Sequence, residues 1–223
     1  MKKIQLGEKF SHLTVSEWVQ GDPIDIEKLI GQVVLIEVFQ INCPGCFLYG
    51  LPQAIEMHEK YRDQGLTVFG IATAFEDFDK NTLANLKRLV DTGEVIGETL
   101  RVLGHQDLLN DGKLHYRIPF PLAMDRLIER QTGNGSDEVD EFIKTRIPDF
   151  ARQPIRYQEE IRRNVEHYLA NLKYRAETFE AFDLKGTPSA ILIDKQGRYR
   201  DSLFGHDPEL EYRIHALLDS SAC

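Results

Sequence analysis

Residues 33–46 constrain this chain more than any other stretch. Val33 to Ile41 is rich in β-branched and aromatic side chains, the composition of a buried strand, and the run stops at Cys43-Pro44-Gly45-Cys46. Beyond the cysteines Leu48, Leu51, Ile55 and His58 fall at helical spacing, which places Cys43 at a strand-to-helix junction. Pro44 suits the first helical position, because its missing N–H would have no intrahelical partner there and its fixed φ favours a helix start. Cys43 then meets the unpaired N–H groups and positive dipole end of the helix, which favour a thiolate, the nucleophile of disulfide exchange. Cys46, less than one turn later, can close a disulfide onto Cys43, as a dithiol exchange site requires.

Two other uses of such a pair fit less well. Half of a zinc site would need a second cysteine pair or closely spaced histidines, whereas only Cys223 and seven scattered histidines remain. A purely structural disulfide across two residues would brace almost nothing, since the stabilisation grows with loop length. No metal and no cofactor are therefore expected, and Cys223 is expected to be an exposed spare thiol.

At 223 residues the chain can form one well-buried core, or one domain with a large insertion. Its net charge of −9, with no basic run to offset it, argues against nucleic-acid or anionic-membrane partners. No apolar stretch follows Lys2-Lys3, and none approaches the roughly 18 residues of a membrane span, so a cytoplasmic location is expected. Three cysteines fit a redox-active pair better than a secreted disulfide framework.

Taken in order, residues 4–32 read as a hairpin-like lead-in and one helical turn around Gly21-Asp22-Pro23. The strand at 33–41 is followed by a helix from about Pro44 to Arg62, kinked by Pro52, and by a second strand at Leu66–Ala74. That order predicts a right-handed crossover with a parallel pair. Asn81–Val90 reads as a helix ending at Gly93, 94–118 as mixed with a turn at Asp111-Gly112, and Phe120–Asp125 as a strand that Pro121 places at an edge or a strand start. A polar loop at Gln131–Ser136 opens a helical tract with two apolar stripes: Val139, Phe142, Ile143 and Ile147, then Ile161, Val165, Tyr168, Leu169 and Leu172. Each stripe needs cover from the main sheet or another chain, and a homo-oligomer through this segment is one way to supply it. Lys185-Gly186-Thr187-Pro188-Ser189 leads into a strand and a hairpin, and a helix at Pro208–Leu218 closes the chain.

The order strand, Cys-x-x-Cys helix, strand, Gly-Thr-Pro, hairpin, helix resembles the thioredoxin-like superfamily, and within it the TlpA-type and redoxin thiol-disulfide oxidoreductases. The resemblance covers roughly residues 5–127 and 174–218. It implies an α/β fold with a central mixed sheet flanked by helices, here one domain over 1–223 with a helical insertion at 128–173. It further implies that Cys43 attacks, that Cys46 resolves, that Pro188 after Thr187 is cis and faces the sulfurs, and that Glu37 is the acidic residue buried beneath the site. If Glu37 faces the core, burial should raise its pKa and let it relay the proton of Cys46. Pro44 and Gly45 help to set redox poise, and with Thr187 and Pro188 they are the expected substrate contacts. The implied partners are a disulfide-containing protein or small thiol substrate and a thiol reductant or oxidant, with the direction of electron flow left open. Asn42 stands where the family usually has an aromatic residue, and Phe47 where a basic one is common.

Two other functions are compatible with the motifs. A peroxiredoxin-like thiol peroxidase would want Thr or Ser three residues before its cysteine, where Gln40 stands. A protein-binding adaptor module would use the inserted helices and leave the cysteines incidental or bound to a metal.

Overall fold

The computed structural model describes residues 3–130 and 136–220. Strand β2 (Val33–Phe39) is buried along its whole length because both of its faces are covered. Val33, Leu35 and Phe39 join one hydrophobic cluster, while Val34, Ile36 and Val38 join another on the opposite face. A side-chain period of two sorts them in this way. β2 pairs in parallel with β3 (Leu66–Ala72) and antiparallel with β9 (Ser189–Ile193), whose hairpin partner is β10 (Tyr199–Phe204). On the other side β6 (Leu122–Asp125) lies parallel to β3, and β1 (Val15–Gln20) closes the edge antiparallel to β6. The order β1-β6-β3-β2-β9-β10 is the mixed sheet expected.

Helices α1 (Leu51–Tyr61), α2 (Leu83–Thr92), α3 (Gly97–His105) and α7 (Leu210–Asp219) contribute to the first cluster, through Leu51, Met57, Leu86, Leu103 and Ile214 among others. Phe10, Ile26, Phe182 and Leu184 cover the second, the last two following the short α6 (Glu177–Ala181). Among the described residues, no helix is long and apolar enough to cross a membrane.

Several expectations are corrected. The N-terminal segment is no hairpin, for β1 takes its partner from β6, about a hundred residues later. Of the two placements expected for Pro121, the strand start holds and the edge does not: β6 is an interior strand, and Pro121 lies just before it, where a missing N–H costs no ladder bond. Residues 94–118 hold α3 and a two-strand ribbon, β4 (Leu109–Asn110) and β5 (Lys113–Leu114), around the expected turn at Asp111-Gly112.

Ile128–Arg175 form a separate compact unit. β7 (Leu127–Glu129) and β8 (Tyr174–Ala176) pair at its neck, and α4 (Ser136–Arg146) and α5 (Ile155–Asn171) follow. Val139 and Ile143 pack on Val165 and Leu169, with Phe142, Ile147, Phe150 and Ile161 around them. The two stripes therefore cover each other, where cover from the main sheet or another chain was expected, because the short connection lets the helices fold back as a pair. Most of the polar loop expected at 131–136 lies outside the described residues, as does Cys223.

Candidate active site

The junction between β2 and the following helix is tied down from outside. The Thr99 hydroxyl donates to the Ile41 carbonyl at 2.7 Å, and the Asn42 N–H donates to Asn81 Oδ1 at 2.9 Å. Asn42 Nδ2 donates to Asp77 Oδ2 at 2.8 Å, while its Oδ1 accepts the Glu98 N–H at 2.7 Å. That last bond caps α3, whose own N-cap residue is Ile96 and has no acceptor to offer. Gly97, at φ 56°, makes room for it, since a Cβ there would collide with Asn42 Oδ1. The residue that departs from the family pattern beside Cys43 is thus a long-range helix cap.

Pro44 opens the helix as expected, but the next turn is irregular. Cys46–Gly50 winds as a π-turn, in which the Leu51 N–H reaches back five residues to the Cys46 carbonyl. The Phe47 carbonyl then has no helical donor, because Leu51 is already used and Pro52 has no N–H. The Tyr116 hydroxyl fills the gap, donating to Phe47 O at 2.9 Å. Pro52 sits in the first turn of α1, where proline is tolerated, so the expected kink is resolved as a π-turn ahead of it.

Both cysteines are free thiols; Cys43 is half-buried and Cys46 fully buried. Cys43 Sγ accepts the Cys46 N–H at 3.2 Å and lies 3.5 Å from the Thr187 carbonyl. The hydrogen bond from the Cys46 thiol, helped by the Thr187 side chain and the Cys46 N–H, lowers the Cys43 pKa to about 7 against burial and the charge of Glu76. Burial, then the hydrogen bond to Cys43 and its charge, push Cys46 well up. One sulfur is activated and the other held as a thiol.

Glu37 lies on the face of β2 that α1 covers, flanked on the neighbouring strands by Gly70 and Ala190. Burial, and secondarily the charge of Cys43, raise its pKa well above the usual carboxylate range, and among the described residues its Oε1 has no hydrogen-bond partner. Gly50 permits the close approach above it, for a Cβ there would collide with both Glu37 Oε1 and Pro188. The Thr187–Pro188 bond is cis, and Pro188 faces Gly45. The Thr187 hydroxyl donates to Gln40 Oε1 at 3.0 Å. Glu37, Cys43, Gly45, Cys46, Thr187 and Pro188 thus converge. Tyr49 and Phe204, 53% and 62% exposed, add an aromatic rim, with Phe204 against Gly186 next to Thr187 and the His206 ring 6.3 Å from Tyr49.

Sequence reasoning missed Gly50, Tyr116 and the capping role of Asn42. A glycine inside a helical pattern is a visible signal for the first. The other two depend on contacts 69 and 56 residues apart in sequence.

No protein-family profile matches the chain. Among curated proteins, DipZ of Mycobacterium bovis and of Mycobacterium tuberculosis is 36% identical over 58 residues, which is 26% of this chain and 8% of DipZ. Among solved structures, a thiol-disulfide isomerase from Corynebacterium glutamicum aligns over 96% of this chain and 98% of its own, at TM-score 0.61 and 26% identity. A thioredoxin-like superfamily protein aligns over 96% and 99%, at TM-score 0.56 and 24% identity. With this sheet, this helix order and these neighbours, the chain belongs to the thioredoxin-like superfamily.

Proposed function

We propose that the protein is a thiol-disulfide oxidoreductase working through Cys43 and Cys46. The observation that carries this reading is the asymmetry of the pair: a half-buried sulfur near pKa 7 beside a buried one held protonated. The Cys43 thiolate attacks a substrate disulfide, forming a mixed disulfide and expelling one substrate thiolate. Cys46 then gives up its proton and attacks Cys43, which closes the Cys43–Cys46 disulfide and expels the second thiolate.

Glu37 is the acceptor for that proton. While Cys43 is a thiolate, its charge helps to keep Glu37 neutral. Once Cys43 is tied up in the mixed disulfide that charge is gone, the carboxyl can ionise, and it can take the Cys46 proton. Thr187, Pro188 and Gly45 line the approach to Cys43, and Tyr49 and Phe204 give a protein substrate apolar contacts.

A nucleophile near 7 resembles the roughly 7 of thioredoxin more than the roughly 3.5 of a strong oxidant such as DsbA, which favours a reducing or isomerising role of TlpA or redoxin type. Equilibration in dithiothreitol redox buffers, alkylation and weighing of the protein tests this. The expected result is one two-electron transition below about −200 mV that joins Cys43 to Cys46. A midpoint near about −120 mV overturns the reducing or isomerising role, and the absence of such a disulfide overturns the reading as a whole.

A further inference from the structure

Away from the sulfurs, a cavity of about 370 Å³ lies between the last turn of α2, the β4–β5 ribbon and the entry to β6. This is within the range of small-molecule sites, roughly 300–1,000 Å³. Its floor is apolar, made by Leu89, Leu114, Ile118 and Leu122. Lys113 and Arg117 line it as well, both exposed, and among the described residues neither side chain has an ion-pair or hydrogen-bond partner. Nearby cations are engaged: Lys87 with Glu17, Arg88 with Glu94, Arg101 with Glu98. Asp91 supplies the lining's single carboxylate and is likewise unpartnered. Two free cations against one carboxylate leave the cavity net positive in a chain of net charge −9.

We propose that this cavity binds a small amphipathic carboxylate, with its head group at Lys113 and Arg117 and its hydrocarbon on the leucine floor, and that occupancy is felt at Cys46 through Tyr116. The apolar floor supplies burial, and the unpaired cations supply the sign of the charge. Tyr116 is part of the lining, and its hydroxyl holds the Phe47 carbonyl in the π-turn that begins at Cys46. An occupant therefore bears on the wall that supports that turn. The binding part of the proposal does not rest on the redox reading.

The test is titration of the full-length, ¹⁵N-labelled protein with octanoate, followed at the amides of Gly93, Leu114 and Arg117. Saturable shifts are expected, with octylamine binding at least about tenfold more weakly. The double variant K113Q/R117Q changes two exposed side chains, so its melting temperature should be unchanged, yet octanoate should bind at least about tenfold more weakly. No saturable shift, octylamine binding as well as octanoate, or unchanged affinity in the double variant overturns the site. Saturating octanoate should change the alkylation rate of Cys43 in the parent protein but not in Y116F, which keeps the ring and loses the hydroxyl. An unchanged rate in the parent, or an equal change in Y116F, overturns the coupling.

Discussion

Glu37 shows how one side chain ties stability to pH. Its folded pKa is raised, so the native state holds the proton more tightly than the unfolded chain does. Its contribution is most favourable below the unfolded carboxyl value, near 4, and is lost as pH rises towards the folded one. Gln at this position does not titrate. Glu37→Gln should therefore gain thermal stability relative to the parent as pH rises from about 4 towards neutrality and above, by about 2–4 °C for each kcal/mol recovered. It should also slow closure of the Cys43–Cys46 disulfide by about tenfold or more at neutral pH, because the proton acceptor is gone. A melting difference independent of pH, with unchanged closure, would contradict this role. Cys43, Cys46 and the burial of Glu37 were legible in the sequence because each follows from local pattern: a strand, its last residues and a helix start. Tyr116 was not, since its meaning lies in a carbonyl that Pro52 and the π-turn leave open far along the chain.

At the scale of elements, the turn after Cys46 presses closely on its surroundings, and Gly50 is where it does so. Gly50→Ala puts a methyl group into Glu37 and Pro188 at once, so the helix start, the strand or the Thr187–Pro188 loop must shift. Overpacking of this kind costs about 1–3 kcal/mol, and the displaced turn should also move the Cys43 alkylation midpoint from about 7. Urea unfolding and a pH series of iodoacetamide labelling measure both, and parental values in both would mean that the turn is not held there. Strands β2, β3 and β9 were readable as continuous apolar runs because both sheet faces are covered. β1 and α3 were not: the strand's partner is distant in sequence, and the helix takes its cap from Asn42. The apolar stripes of α4 and α5 were correctly placed on the helices, but periodicity gives a face without naming what covers it, and here each covers the other.

For the whole molecule, the second unit carries its own small core and is entered and left through the paired strands β7 and β8. Strand pairing leaves the two chain ends about 5 Å apart, close enough for a short linker. Replacing 129–174 by a few Gly and Ser residues should leave the Cys43 alkylation midpoint near 7 and reduction of a small disulfide within about twofold, since both main clusters keep their buried residues. Reduction of protein disulfides should fall if this unit selects partners, whereas undiminished activity on proteins and an unchanged oligomeric state would remove that role. The central claim, that Cys43 attacks and Cys46 resolves, is tested most directly by trapping. Cys46→Ser, incubated with a disulfide-bonded peptide of known mass, should accumulate a one-to-one adduct that dithiothreitol dissolves and that peptide mapping places on Cys43, while Cys43→Ser accumulates almost none. An adduct on Cys223, or equal adduct in the Cys43→Ser protein, would contradict the assignment.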